Sequence, residues 1–340
     1  MSSYFGLDIG SSSIKVVQSS LLGAKGFVLN NIGLVQNPGG SVDFTDQRLT
    51  AKLGPAIKQA MTEAGIRDKR VVVSVPESRA YSRIVEMPNM SDAELSSAVN
   101  WEAEQFIPLP VAEVEIDYTV VRRPPKGSEQ KMLVYLVAAP KKYLQSMVDF
   151  LLAIGIEPIA VESEMVAIAR AFTFGETQGS SLIVHIGALS TIISIVEGDS
   201  LLFSYVVNSG GLAMTRAISQ SLALPIAQAE EYKRTYGMDE KQLEGKVRGS
   251  LLVVVESLVT EMRKASEFYM ASHKSQIQRI VLSGGGAYLP ELNTYLSGVF
   301  GGLEVIAGDP FMFAKNSKNA SIPQERAAYS VATGLSLRVF

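Results

Sequence analysis

The chain of 340 residues is 47% hydrophobic and 19% charged, with a formal net charge of -3 and no cysteine. This excludes a disordered chain, a disulfide framework and thiolate metal sites, and it gives no general affinity for nucleic acid or anionic lipid. The length calls for two or more domains.

The opening MSSYFGLDIGSSSIKVV has no basic region leading into an apolar one, so no signal peptide is expected. No apolar stretch reaches the ~18 to 20 residues that span a bilayer. The expectation is a soluble protein of a reducing cytoplasm.

Residues 4–9 and 14–17 are apolar strands joined by Gly10-Ser11-Ser12-Ser13, a hairpin with glycine and serine at its tip. Glycine lets an anion approach the backbone, and turn N–H groups with serine hydroxyls can cradle it. Asp8 can hold the waters of Mg²⁺, and Lys15 can lie against phosphate oxygens. A plain hairpin with a solvated Asp8 and Lys15 reads the same way.

Residues 52–64 have helical spacing ending at Gly65, and residues 70–76 form a β-branched strand. The character then changes. Residues 91–106 form a charged amphipathic helix carrying Trp101, the sole tryptophan, expected in the core with partner contact as the alternative. A strand at 114–121, a polar turn at 122–130, a strand at 132–139 and a helix at 141–153 follow, reading as a compact α+β insertion. At the strand-to-helix junction Val161-Glu162-Ser163-Glu164-Met165, a glutamate can position water for attack on a γ-phosphate or cap the helix. Glu162 is the residue expected to orient water.

Residues 181–196 repeat the opening: strand, a Gly187-Ala188-Leu189-Ser190 turn, strand. This echo suggests two similar halves, each lending one loop to a shared cleft. His185 stands where Asp8 stands in the first hairpin, and supplies no negative charge to a cation. Gly210-Gly211 opens a helix, and residues 227–236 and 246–272 are helices. Glu230 and Lys233 share a face and suit a ribose and purine, or a surface ion pair. A strand at 279–282 enters Gly284-Gly285-Gly286, a flat surface for a nucleoside or a close strand–helix packing. A small-residue helix spans 325–337. There is no GxxxxGK[ST] loop, no HExxH and no GxSxG elbow, and the only histidines are His185 and His273.

In order and spacing these segments resemble the actin, sugar-kinase and heat-shock chaperone superfamily. Asp8–Lys15 and His185–Thr191 resemble its two phosphate loops, Leu282–Ala287 its adenosine loop, and residues 161–172 and 327–337 its connecting segments. The Glu230-x-x-Lys233 pair sits where the chaperones use such a pair around adenosine. Within the superfamily the insertion is most similar to that of the PilM family of type IV pilus assembly, relatives of FtsA. The likeness lies in Glu86-Met87-Pro88, Glu94-Leu95, residues 102–110 (EAEQFIPLP), Asp117-Tyr118 and Ala138-Ala139.

The resemblance implies an α/β chain of actin-like ATPase fold, two similar halves around a nucleotide cleft with a 1C-type insertion. Its subdomains would be 1A (1–78, 158–178), 1C (79–157), 2A (179–225, 277–340) and 2B (226–276). It implies ATP with Mg²⁺ held by Asp8, by Gly10, Ser11, Ser12, Ser13 and Lys15, by Gly187 and Ala188, by Glu230 and Lys233, and by Gly284, Gly285 and Gly286. It implies docking of the N-terminal cytoplasmic segment of PilN in a 1A/1C groove, alongside other pilus platform proteins, with self-association open. The implied protein is a cytoplasmic scaffold, at most a slow ATPase, reaching the inner membrane only through partners, since the chain ends at Phe340 without an amphipathic tail. His185, where the superfamily usually has aspartate, weakens the expectation of hydrolysis more than that of binding. An FtsA-like filament-forming division protein and a small-molecule kinase of the same superfamily are the alternatives.

Overall fold

The structure, a computed structural model, describes residues 4–23, 26–40, 42–125, 128–175, 179–316 and 320–340. The tip of the expected polar turn at 126–127 and the expected boundary residues 176–178 lie outside them.

Three antiparallel strands open the chain: β1 (Phe5–Ile9), β2 (Ser13–Leu21) and β3 (Phe27–Gln36). β4 (Arg70–Val75) then pairs parallel to β1, and β8 (Glu157–Ser163) parallel to β4. The second half repeats this. β9 (Ser180–Ile186), β10 (Thr191–Glu197) and β11 (Ser200–Val207) are antiparallel, β12 (Arg279–Ser283) lies parallel to β9, and β13 (Glu304–Ala307) parallel to β12. The orders β3-β2-β1-β4-β8 and β11-β10-β9-β12-β13 are the same topology used twice, with the short β14 (Ala314–Asn316) added outside β3.

Helices separate and cover the two sheets. α4 (Glu164–Thr173) and α9 (Ser330–Ser336) lie between them, where Tyr4, just before β1, and Val72 of β4 share a core with Ile183, Ile192 and Val281 of the second sheet. α1 (Gln47–Ala64) and α3 (Lys141–Ala153) cover the outer face of the first sheet. α5 (Gly211–Leu222), α6 (Ile226–Tyr236), α7 (Lys246–His273) and α8 (Leu292–Val299) pack in the outer core of the second. Strands buried on both faces need continuous apolar runs, which is why β4 carries Val71-Val72-Val73 and β12 Ile280-Val281-Leu282. α1 starts at Gln47, five residues before the expected start. Asp46 caps it by accepting the Arg48 N–H, so Pro55 falls inside the helix and removes one of its donors.

β5 (Tyr81–Met87), α2 (Asp92–Glu104), β6 (Val114–Arg122) and β7 (Met132–Pro140) form the insertion, a sheet ordered β5-β7-β6. Met132, Val134 and Leu136 of β7 pack on Leu95 and Val99 of α2. The alternate residues Tyr135 and Val137 pack instead in the core between the halves. Arg122 further bonds Glu197 of β10 at 2.9 Å, so the insertion touches both halves. The helix expected within the insertion at 141–153 turns its buried Tyr143, Met147 and Leu151 into the first outer core.

Trp101 is 67% exposed, against the expectation of a core position. The buried stripe of α2 is Leu95, Val99 and Ala103, and a residue two places from Val99 emerges on the opposite face. Among the described residues no helix is long and apolar enough to cross a membrane.

Candidate functional site

Strand alternation decides what the two glycine-tipped hairpins present. Phe5, Leu7 and Ile9 point into the outer core, so Gly6 and Asp8 face the second half. Leu182, Val184 and Ile186 point into the other outer core, so Ile183 and His185 face the first. Asp8 and His185 are thus turned toward each other across the gap between the sheets, and the charges of Asp8 and Lys15 both act on the imidazole. Burial pushes His185 down to about 4, with Asp8 opposing and Lys15 assisting, so the ring is neutral at neutral pH.

The hairpin tips are built alike. The Gly10 N–H donates to the Ser13 carbonyl at 3.0 Å, and the Gly187 N–H to the Ser190 carbonyl at 2.9 Å. A Cβ at either glycine would sit 3.1 Å from that same carbonyl. Asp8 and Lys15 are opposite each other in the β1–β2 register and pair at 3.0 Å. Asn37 braces the first tip, donating from its side chain to the Gly10 carbonyl at 2.9 Å and from its backbone to the Ser12 carbonyl. The hydroxyls of Ser11, Ser12 and Ser13 keep no hydrogen bond among the described residues, and remain available to an anion.

The second tip leans on the start of α5. Gly211 and Leu212 N–H groups donate to the Gly187 and Ala188 carbonyls, each at 2.9 Å. A Cβ at Gly210 would fall 2.6 Å from the Gly187 carbonyl, which is why glycine stands there. Lys233 reaches back to the same turn, donating to the Gly211 carbonyl at 3.0 Å, to Thr215 at 2.9 Å and to Glu230 at 2.6 Å. Burial works against ionisation of Glu230, but hydrogen bonds from Lys233, Thr215 and Arg234 prevail and hold it at about 2. The pair is a tie between α6 and α5, more than a surface ion pair.

The three glycines after β12 divide their work. A Cβ at Gly284 would fall 2.5 Å from the Ile186 carbonyl, and φ there is +76°; a Cβ at Gly286 would strike the Ile186 side chain at 2.4 Å. Both are needed for the loop to lie against β9. Gly285 has nothing within 4 Å of its added Cβ, an open backbone face beside the second tip. Ser283, just before them, bonds His185 Nδ1 at 2.9 Å and Ser330 of α9 at 2.7 Å.

The two glutamates of the strand-to-helix junction part company. Glu162 bonds Arg170 through both oxygens, at 2.5 and 2.7 Å, and Arg338 at 2.8 Å. Arg170 also donates to the Gly334 carbonyl at 2.8 Å, so Glu162 clamps α4 to the chain around α9. Glu164 instead feels Asp8 and Lys15. It is pushed up to about 8, by burial first and then by the negative charges of Asp8 and Glu77. It sits on a wall of the gap, where protein crowds a group that water still reaches.

From its ordinary 4.5 up to about 8, the folded chain keeps a proton on Glu164 that the unfolded chain has released, so this group costs stability as pH rises through that window. Glu164→Gln should therefore match the parent in urea unfolding near pH 4.5. At pH 8 it should exceed the parent by on the order of 1–2 kcal/mol, less than the full shift implies because cleft water screens the charge. Equal stabilities at pH 8 would refute the buried-acid assignment.

The structure forms both glycine-tipped turns, the glycine loop after β12 and the Glu230–Lys233 contact; of the two junction glutamates it turns Glu164, not the expected Glu162, toward Asp8, and Asn37 and Ser283 are not among the site residues expected from the sequence. Asn37 opens an Asn-Pro-Gly-Gly turn, a local signal that could have marked a loop brace.

Two sheets of one topology, with glycine-tipped hairpins opposed across paired central helices, define an actin-like ATPase fold. MreB5 of Spiroplasma citri, solved bound to AMPPNP, shares that fold at a TM-score of 0.51 and 13% identity, covering 97% of this chain and 94% of its own. The chain belongs to the PilM family: the family model described as type IV pilus assembly protein PilM matches residues 6–340. A solved PilM-PilN type IV pilus biogenesis complex contains a chain similar at 27% identity and a TM-score of 0.84, with 98% of each chain covered. Cell division protein FtsA of Streptococcus pneumoniae serotype 2 (strain D39 / NCTC 7466) is 24% identical over 340 residues, which is 88% of this chain and 74% of FtsA. The expected fold and family hold, and FtsA stands as a relative.

The residues present fit a nucleotide. Gly10 and Gly187 leave bare backbone at tips where a Cβ would crowd the Ser13 and Ser190 carbonyls, three serine hydroxyls and Lys15 offer donors, and Asp8 offers the hard oxygen that a hydrated divalent cation prefers.

Proposed function

We propose that the chain is an ATP-binding cytoplasmic scaffold of the type IV pilus inner-membrane platform. It would dock the N-terminal cytoplasmic segment of PilN in a groove between the first half and the insertion, and reach the membrane only through such partners. The observation that carries the nucleotide reading is the matched pair of hairpin tips, with Asp8 and Lys15 acting on His185 across the gap. Gly10, Ser11, Ser12, Ser13 and Lys15 would hold phosphate from one side, and Gly187 and Ala188 from the other. Gly285 would meet the nucleoside, and Glu230 and Lys233 would border it. Asp8 would hold the waters of Mg²⁺, which supplies charge neutralisation to the phosphates.

Turnover would be slow. Glu162 is occupied by two arginines and leaves the role of orienting water to Glu164, which cannot take a proton from that water while it carries its own. His185 adds no charge. A titration of Mg-ATP by calorimetry, followed by the PilN segment as a synthetic peptide with and without Mg-ATP, tests the reading. Binding of both is expected, with peptide affinity differing at least about fivefold between the two conditions. Absence of Mg-ATP heat would overturn the nucleotide assignment; equal peptide affinities would leave a scaffold without gating. The solved PilM-PilN complex favours this reading over an FtsA-like filament.

A further inference from the structure

Glu77 is a carboxylate only 4% exposed, standing on a single 3-10 turn (Glu77–Arg79) between β4 and β5. An unpaired buried carboxylate is costly, so its partners reveal what it was built to hold. One oxygen accepts the Ser163 hydroxyl and, at 3.3 Å, the Met165 N–H at the start of α4; the other accepts the Ser82 hydroxyl of β5 at 2.8 Å. The Tyr135 hydroxyl of β7 donates to Ser163 at 2.8 Å and closes the cluster from the insertion side. The backbone N–H of Glu77 donates to Glu164 at 3.2 Å, the acid that feels Asp8 and Lys15.

We infer that Glu77 is a positioning residue joining the nucleotide loops to the insertion: its N–H and one carboxylate oxygen meet Glu164 and the first turn of α4, its other oxygen meets Ser82, and Tyr135 joins through Ser163. Its direct partners come from β8, α4 and β5, with Tyr135 of β7 joined through Ser163, so the groups form one connected hydrogen-bond network. Any displacement of Glu164 when charge enters the gap is passed through the Glu77 turn to the central and edge strands of the insertion. The Arg122–Glu197 bond leaves from the second half and does not touch Glu164.

This inference rests on the nucleotide reading above, and its test separates the two. Hydrogen exchange of the β5 and β7 amides is measured with and without Mg-ATP, alongside calorimetry, in the parent and in Tyr135→Phe and Glu77→Gln. Tyr135→Phe is the mild variant, since it deletes one hydroxyl and leaves the carboxylate paired. In the parent, Mg-ATP should slow exchange in residues 81–87 and 132–140 by about fivefold or more. In Tyr135→Phe, Mg-ATP affinity should stay within about twofold while that slowing falls to less than about twofold. Glu77→Gln should lose the slowing and also bind Mg-ATP less tightly. Equal slowing in parent and Tyr135→Phe, or none in the parent despite heat of binding, overturns the coupling and leaves the nucleotide reading intact. Absence of heat in the parent overturns both.

Discussion

Asp8→Ala should weaken Mg-ATP binding by roughly 10- to 100-fold, about 1.4 to 2.8 kcal/mol, in a calorimetric titration. Asp8 faces the second half by strand alternation and is 4% exposed, with Lys15 at 3.0 Å. A carboxylate there neutralises the lysine when the site is empty and offers oxygen to a hydrated cation when it is filled. Deleting it removes the anchor for the cation but frees Lys15 for phosphate. Metal-free ATP should therefore bind as well as before or better, so that the variant loses the gain from Mg²⁺ and not the nucleotide itself. Loss of both forms in equal measure would point to local unfolding, and no loss of either would mean that the first hairpin does not hold the metal.

Among the described glycines Gly334 has the shortest approach to neighbouring backbone, and Gly334→Ala should be strongly destabilising. A Cβ at Gly334 would lie 1.8 Å from the Ala167 carbonyl oxygen and 2.9 Å from its Cα, all backbone of α4, which cannot turn aside as a side chain would. The two central helices would have to part, and the Arg170 bond to the Gly334 carbonyl with them. A cost of about 3 kcal/mol or more is expected in urea unfolding, at the upper end for overpacking. Gly285→Ala is the control. Nothing lies within 4 Å of its Cβ, so stability should change by less than about 0.5 kcal/mol. Equal effects at the two positions would show that α4 and α9 are not in close contact.

The glutamate assignment shows where pattern reasoning stops. Glu162 and Glu164 are two residues apart, which in a strand would place them on one face. The strand ends at Ser163 and a helix begins at Glu164, so the parity breaks between them. Glu162 turns to Arg170 and Arg338, which lie 8 and 176 residues away. The second of these distances is beyond any local signal. Trp101 was within reach, because the spacing Leu95, Val99, Ala103 already fixes the buried face of its helix. Glu77 was not: a lone glutamate after a proline reads as exposed until Ser82, Tyr135 and Ser163 are seen around it.

Local chemistry was set by the chain itself. Apolar runs broken by glycine and serine make hairpins wherever they occur, because backbone sterics and hydrophobic spacing act over a few residues. Which hairpin faces which, which acid lies near the phosphates and which is held by arginine, and how the insertion is tied to both halves, depend on contacts between residues far apart in sequence. Those were decided only when the two sheets closed on α4 and α9, since burial and hydrogen bonding across such distances have no periodic trace in the sequence.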